Sequence, residues 1–223
     1  MSATALRKRP AHTAADDLLS SIAERTTHIA NPYDHWVMEG MLPQPTMTAL
    51  MQLPFMPSAE MVHGGKRDGY NNNAFRIYFT PESRKRYPVC REVVEAFSDP
   101  RVMDAFERMT KSPISKGRLR IEYCQDADGF WLEPHVDITP KLFSLIVYLS
   151  DDPNLRDAGT DIYDDTPEHA LVSTVPYQAG RGMLFIPGKN TWHGFNKRPI
   201  QGVRKSLIVN YVSDDWRSKE ELS

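Results

Sequence analysis

Residues 117–150 read GRLRIEYCQDADGFWLEPHVDITPKLFSLIVYLS and contain three runs rich in apolar, β-branched and aromatic residues. The runs predict strands at 118–123, 131–136 and 142–149, and turn-forming residues such as Asp128-Gly129 lie between them. Short strands that follow one another closely along a chain are typical of β-sandwiches and β-barrels. This segment therefore predicts an all-β unit.

The same pattern continues downstream as far as residue 213. Further strands are predicted at 160–163, 171–176, 183–186 and 205–212, with turns such as Ala179-Gly180 and Pro187-Gly188 between them. We expect residues 117–213 to form a β-sandwich of jelly-roll type.

The region before residue 117 has a different, more helical pattern. Leu18, Leu19, Ile22 and Ile29 recur at helical spacing within residues 14–29. Helices are also predicted at 46–53, 88–97 and 101–109, a strand at 75–79, and a Gly- and Asn-rich loop over a site at 61–73. We expect a flexible tail at 1–13, a helical support region at 14–116 packed on one sheet, and a single domain over 1–223, mostly β with α.

The composition is that of a soluble protein. The 223 residues carry a formal net charge of −2, with 40% hydrophobic and 25% charged residues. No apolar run is long enough to span a bilayer, and the basic N-terminal segment lacks the apolar core of a secretory signal. Two cysteines cannot form a disulfide framework. We expect a cytoplasmic protein with no membrane or nucleic-acid partner, since no broad basic surface is indicated.

One motif in the β region points to metal binding. His135 and Asp137 stand two residues apart near the end of a predicted strand, so their side chains point the same way. With seven histidines in the chain, a His-x-Asp pair by itself carries a high risk of chance occurrence.

A third candidate ligand follows the Gly-bounded strand 180–188. It is His193, in the sequence Thr191-Trp-His193-Gly. Two imidazoles and one carboxylate form the facial triad of non-haem iron(II) oxygenases, which leaves coordination positions open. Zinc takes the same ligand types, so ligand chemistry alone leaves the metal undecided.

A possible anion anchor comes eleven residues after His193. Arg204 and Ser206 share one face of a predicted strand. A guanidinium and a hydroxyl that point together suit a carboxylate, which arginine binds as a bidentate fork.

In this order and spacing, His135-x-Asp137, His193 and Arg204-x-Ser206 resemble the iron(II)/2-oxoglutarate dioxygenase superfamily, and its prolyl-hydroxylase-like branch most of all. The resemblance covers about residues 117–213 and extends suggestively to the segment NPYDHWVMEGMLP at 31–43. It implies a double-stranded β-helix, a jelly roll of the cupin-like kind, with the metal inside one end.

The resemblance also implies roles for individual residues. His135, Asp137 and His193 would bind Fe(II), while Arg204, Ser206, Tyr148 and Tyr123 would bind 2-oxoglutarate. The implied reaction uses O2 and 2-oxoglutarate to hydroxylate an unactivated C–H bond, with release of succinate and CO2. The carboxylate at 137 favours hydroxylation over halogenation, and the absence of a second arginine after Arg204 speaks against nucleobase demethylation.

The substrate is less constrained by the sequence. A small polar metabolite, such as an amino acid or a natural-product intermediate, is our first interpretation, and a peptidyl residue is the alternative. Candidate substrate contacts are Asn73, Arg76, Arg120 and Trp131. Two other classes stay open, a non-enzymatic metal-binding jelly-roll sensor and a zinc hydrolase with Glu133 as its base. The oligomeric state is not indicated.

Overall fold

The computed structural model describes residues 12–55, 65 and 76–223. Within those ranges the helices are α1 (Ala14–Glu24), α2 (Gln44–Met51), α3 (Pro81–Arg86), α4 (Pro88–Phe97) and α5 (Pro100–Thr110). The strands are β1 (Thr26–Ile29), β2 (His35–Met38), β3 (Arg76–Tyr78), β4 (Arg118–Asp126), β5 (Leu132–His135), β6 (Lys141–Tyr148), β7 (Thr160–Tyr163), β8 (Leu171–Val175), β9 (Gly182–Phe185), β10 (His193–Phe195) and β11 (Arg204–Val212).

The strands form two antiparallel sheets. The larger sheet has the order β1-β2-β9-β6-β11-β4-β3, and the smaller has the order β5-β10-β7-β8. β11 is paired along its whole length with β4, from Arg204 opposite Asp126 to Val212 opposite Arg118. The expected combination of antiparallel sheets with helices is therefore confirmed.

The alternation of side chains along each strand divides the apolar residues between two cores. On β6, Phe143, Leu145 and Val147 face the helices, whereas Ile146 and Tyr148 face the smaller sheet. Each large apolar side chain that is fully buried contributes about 1.5–3 kcal/mol to folding. The helical layer thus covers the outer face of the larger sheet, as predicted, and leaves its inner face to line a pocket between the sheets.

The helical layer begins with a well-defined cap. The side chain of Thr13 accepts a hydrogen bond from the backbone N–H of Asp16, and the Asp16 carboxylate accepts one from the backbone N–H of Thr13. This reciprocal capping box satisfies two N–H groups at the start of α1.

None of the helices in the described ranges has the length and apolar character that a membrane span requires.

The predicted helix at 14–29 is too long and is corrected by the structure. α1 ends at Glu24, and residues 26–29 form β1, which pairs antiparallel with β2. The two β-branched threonines, Thr26 and Thr27, favour extended backbone over helix. The strands predicted after residue 117 are confirmed to within one residue at their ends, except that β4 continues three residues beyond the predicted end at 123, to Asp126. β10 was not predicted.

Candidate functional site

A pocket between the two sheets is lined by four of the eleven predicted site residues. Its lining includes His135, Asp137, His193 and Arg204, together with apolar side chains from both sheets. These apolar residues are Phe130, Leu132, Ile146, Phe185, Phe195 and Ile208. The pocket therefore combines a cluster of metal-ligand side chains, one buried cation and hydrophobic walls.

The three candidate metal ligands converge in this pocket. One ligand atom from each of His135, Asp137 and His193 lies within 4.8 Å of the others, a grouping that could hold a metal ion. Strand pairing causes this convergence, because His193 lies opposite His135 in the β10–β5 pair, with ring centroids 4.3 Å apart. Gly194 permits the close approach, since a Cβ there would lie 2.7 Å from the carbonyl oxygen of Leu132.

Backbone hydrogen bonds orient both imidazoles. His135 Nδ1 lies 3.0 Å from the carbonyl oxygen of Glu133, and His193 Nδ1 lies 2.9 Å from that of Thr191. A carbonyl oxygen only accepts, so Nδ1 carries the proton and donates in each ring. Nε2 is then the nitrogen with the lone pair, which is the form a metal-binding imidazole needs.

Two side chains of β6 hold the Asp137 carboxylate. Lys141 Nζ donates to Oδ1 at 2.6 Å, and Ser144 Oγ donates to Oδ2 at 2.5 Å. Burial by itself raises the pKa of Asp137, but the charge of Lys141, the neighbouring His193 and the bonds from Lys141 and Ser144 hold the pKa well below its ordinary value. The carboxylate is thus kept ionised, as a metal ligand must be.

A hydrogen-bond chain extends from Asp137 across the inner face of the larger sheet. Asn210 Nδ2 donates to Ser144 Oγ at 2.9 Å, and Arg120 Nη1 donates to Asn210 Oδ1 at 3.2 Å. Arg120 also donates to Glu122. Because Asn210 on β11 bonds to side chains on both adjacent strands, Ser144 on β6 and Arg120 on β4, the chain fixes the orientation of Ser144, and Ser144 fixes that of Asp137.

Ser144→Ala is expected to lower the affinity for iron(II) about tenfold, because one carboxylate oxygen of Asp137 loses its hydrogen-bond donor. Competition with a coloured chelator under anaerobic conditions measures the affinity. Ser173→Ala is the matched control, since Ser173 is an exposed serine on β8. Equal affinities for the two variants would show that Ser144 does not position the carboxylate.

Arg204 lies at the start of β11 and points into the same pocket. The side chain is buried, its Nε donates to the carbonyl oxygen of Ala158 at 2.6 Å, and its Nη1 donates to Asp126 at 2.5 Å. Ser206, on the same strand face, has a buried hydroxyl with no hydrogen-bond partner among the residues described. A buried guanidinium in the pocket lining and an orphaned hydroxyl beside it fit a carboxylate-bearing ligand.

The two tyrosines predicted to bind 2-oxoglutarate are placed differently. The Tyr148 hydroxyl faces the inter-sheet core, where it donates to Thr160 Oγ1 at 2.8 Å and accepts from the Thr160 backbone N–H at 2.9 Å. Tyr123 packs into the helix-facing core and donates to the carbonyl oxygen of Leu50 at 3.1 Å. The prediction for Tyr123 is corrected, because its side chain points away from the pocket, to the opposite face of the larger sheet.

Of the four predicted substrate contacts, the three that the structure describes, Arg76, Arg120 and Trp131, do not line the pocket with the metal-ligand candidates. Arg76 and Arg120 flank the buried Glu122, Arg76 through Nε at 3.0 Å and Arg120 through Nη1 at 3.0 Å. Arg120 is further held by Glu221 and lies between the rings of Tyr78 and Trp216. The predicted contact of Arg120 with substrate is therefore corrected. Arg120 belongs to the hydrogen-bond chain and also binds Glu221 of the C-terminal segment.

Trp131 and Asn73 complete this set. Trp131 lies outside the pocket lining, whereas its neighbours Phe130 and Leu132 belong to it. Its ring packs against Gly65, where an added Cβ would lie 2.2 Å from the ring, and the Lys197 ammonium lies 4.3 Å from the ring centroid. Trp131 thus packs beside the pocket, and its contact with substrate stays a prediction. Asn73 lies outside the described residues.

Four site residues were missed by the sequence reasoning. Lys141, Ser144 and Thr160 line the pocket, and Asp126 pairs with Arg204. For Lys141 a signal was present, because it stands four residues after Asp137 and directly before the strand predicted at 142–149. Asp126 gave none, since its pairing depends on the register between β4 and β11.

Neither known protein families nor curated proteins gave a match to this sequence. Solved structures did match. A prolyl-4-hydroxylase from Pseudomonas putida is 14% identical, with a TM-score of 0.51 over 90% of this chain and 99% of that chain. A prolyl hydroxylase from Trichoplax adhaerens, in complex with a peptide of hypoxia inducible factor, is 12% identical, with a TM-score of 0.54 over 90% and 89%.

A third solved structure is also similar. The non-haem α-ketoglutarate-dependent epimerase SnoN from nogalamycin biosynthesis is 14% identical, with a TM-score of 0.51 over 90% of this chain and 83% of that chain. The structural similarity establishes the fold. Because the sequence identities are this low, the activity has to be argued from the site. The chain therefore has the fold of the 2-oxoglutarate- and iron(II)-dependent oxygenases, prolyl hydroxylases among them.

Proposed function

We propose that this protein is a non-haem Fe(II)/2-oxoglutarate-dependent oxygenase that hydroxylates an unactivated C–H bond of a small polar metabolite. The single observation that carries the proposal is the shared pocket. His135, Asp137 and His193 bring their ligand atoms together there, and the buried Arg204 lines the same space. Succinate and CO2 are the expected co-products.

The winding of the strands supports the same proposal. Between β4 and β11 the chain alternates between the larger and the smaller sheet, apart from β7 and β8, which are neighbours in the smaller sheet. That alternation is the one expected of a double-stranded β-helix. It places the ends of β5, β6, β10 and β11 around one pocket.

In this proposal the pocket residues have three roles: metal binding, 2-oxoglutarate binding and orientation of a metal ligand. His135, Asp137 and His193 would hold iron(II), which supplies the activation of O2 for C–H oxidation when 2-oxoglutarate is also bound. Arg204 and Ser206 would bind the distal carboxylate of 2-oxoglutarate by charge-assisted hydrogen bonds. Ser144 and Lys141 would orient Asp137, and the aromatic and aliphatic walls would exclude water from the reacting atoms.

The substrate part of the proposal rests on the size and character of the site. Similar folds occur in a protein of natural-product biosynthesis and in a prolyl hydroxylase bound to a peptide. A peptidyl substrate is therefore the second candidate, favoured by that peptide complex. The pocket between the sheets is lined by seven polar or charged residues among apolar walls, which fits a small polar molecule.

The two other classes account for less of the site. A zinc hydrolase needs a base beside the metal-bound water, and Glu133 is not among the residues that line the pocket. A sensor that only binds metal would have no use for a buried arginine at the end of the pocket. Arg204 is explained by the oxygenase proposal and by neither alternative.

An anaerobic titration of iron(II) and 2-oxoglutarate tests the proposal. We expect a weak visible charge-transfer band when both are present, followed by succinate release in air that scales with consumption of an accepted substrate. A screen of polar metabolites and of short peptides separates the two substrate classes. Iron uptake without the band at saturating 2-oxoglutarate would contradict the oxygenase assignment and favour the hydrolase or sensor.

A further inference from the structure

The guanidinium of Arg204 is neutralised by a carboxylate of the protein itself. Asp126, the last residue of β4, lies opposite Arg204 in the β4–β11 pair, and its Oδ2 accepts from Nη1 at 2.5 Å. Only 10% of the Asp126 side chain and 4% of the Arg204 side chain are exposed. The pair is thus almost fully removed from water, where charges interact strongly and are little screened by salt.

Aromatic rings adjoin the Arg204 guanidinium, whereas the Asp126 carboxylate also interacts with a second cation, Arg76, and helps to raise the pKa of Arg76. The guanidinium carbon lies 5.2 Å from the centroid of the Phe195 ring and 5.8 Å from that of the Tyr148 ring. Nε donates to the carbonyl oxygen of Ala158, and Nη2 has no hydrogen-bond partner among the described residues. One end of the guanidinium is therefore held by the protein, while the other remains for a ligand.

A ligand with a carboxylate at this end of the pocket would bring a second negative charge to a cation that is already paired. Asp126 and the ligand carboxylate would then share one guanidinium, and their repulsion would offset part of the attraction. A ligand of the same length without that carboxylate would feel no such repulsion. The electrostatic consequence is specific to the distal end of the ligand.

We propose that Asp126 is a specificity-determining residue of the co-substrate pocket. It positions Arg204 and lowers the pocket's preference for a 2-oxo acid with a distal carboxylate over one without. This inference rests on the proposed function, because it takes 2-oxoglutarate as the ligand of Arg204. It predicts that 2-oxoglutarate binds more weakly to this pocket than it would to one with an unpaired arginine. The fraction of protein with 2-oxoglutarate bound would then vary with the concentration of 2-oxoglutarate.

The test compares two ligands on each of three proteins. 2-Oxoglutarate and 2-oxopentanoate have the same five-carbon chain and differ only in the distal carboxylate. Both are titrated by calorimetry into the full chain loaded with Mn(II), a redox-stable substitute for iron(II). The proteins are the wild type, Asp126→Asn, and the control Asp128→Asn, in which a nearby exposed carboxylate that accepts from the Ile200 backbone N–H is changed instead.

Asp126→Asn keeps the shape of the side chain and an oxygen that can accept from Nη1, and it removes the charge. We expect 2-oxoglutarate to bind about tenfold more tightly to this variant, the effect of a modest like-charge repulsion. The affinity for 2-oxopentanoate should change less than about twofold, as should both affinities in Asp128→Asn. For each protein we take the ratio of its affinity for 2-oxoglutarate to its affinity for 2-oxopentanoate, because this ratio does not depend on the fraction of protein that is folded. Asp126→Ser provides a second variant, with a smaller side chain.

The possible results separate the two proposals. A ratio that rises in both Asp126 variants and not in Asp128→Asn supports the inference. An unchanged or lower ratio, with 2-oxoglutarate still bound by the wild type, overturns the inference and leaves the oxygenase proposal intact. A wild-type protein that takes up Mn(II) and binds neither 2-oxo acid overturns both.

Discussion

Asp137→Ala is expected to weaken iron(II) binding by about a thousandfold or more and to reduce hydroxylation to the background rate, since losing a ligand costs more than the 10–100-fold of losing a residue that supports one. The structure adds a second reason. Without Asp137, the Lys141 ammonium loses its partner at 2.6 Å and remains as a cation beside the two imidazoles. Repulsion from Lys141 would then oppose the metal directly. Anaerobic chelator competition measures the affinity, and succinate release measures turnover.

Asp137→Glu is the informative companion to this variant. It keeps the negative charge and the pairing with Lys141 but moves the carboxylate by one methylene, so its metal affinity should fall between those of Asp137→Ala and the wild type. Circular dichroism of the metal-free proteins checks that both variants fold. Hydroxylation by Asp137→Ala at the wild-type rate would show that the metal lies elsewhere.

Much of the fold was accessible from sequence because strands have a period of two. Alternate side chains of a run such as Phe143 to Tyr148 point to opposite faces of the sheet. Because both faces of β6 are buried, nearly every position of the strand is apolar, and this continuous apolar run predicted the strand. β1 was missed because the apolar spacing of α1 continues by chance to Ile29, although the helix ends at Glu24. Local preference of the threonines and pairing with β2 determine that boundary.

The site was predicted less completely, because it depends on strand register. The metal-ligand candidates and Arg204 follow from residue types in a recognisable order. Tyr123 could not be assigned to a face without knowing that it lies opposite Leu207, which places it on the side away from Arg204 and Ser206. The same register sets Asp126 opposite Arg204. A shift of one residue would reverse both outcomes, and nothing local in either strand specifies it.

Arg204→Met is expected to raise the 2-oxoglutarate concentration needed for half-maximal turnover about a hundredfold, the loss of roughly 3 kcal/mol from a buried charge-assisted contact. Iron(II) affinity should change little, because the described bonds of Arg204 go to Ala158 and Asp126 and not to the metal-ligand candidates. The variant also leaves the Asp126 carboxylate buried without its cation, which is expected to lower the free energy of unfolding by about 3–5 kcal/mol. Turnover at varied 2-oxoglutarate and urea denaturation measure the two effects separately.

The double variant Arg204→Met, Asp126→Asn distinguishes loss of the anchor from loss of stability. It removes both charges of the pair, so most of the lost stability should return, since a buried ion pair replaced by neutral groups of similar volume is often close to neutral in free energy. The 2-oxoglutarate requirement should fall by about tenfold from that of Arg204→Met, because the repulsion from Asp126 is removed, but it should stay far above that of Asp126→Asn, because no cation remains to bind the distal carboxylate. If the requirement recovered to that of Asp126→Asn together with stability, Arg204 would act only through folding, and the anchor for 2-oxoglutarate would have to be sought elsewhere in the pocket.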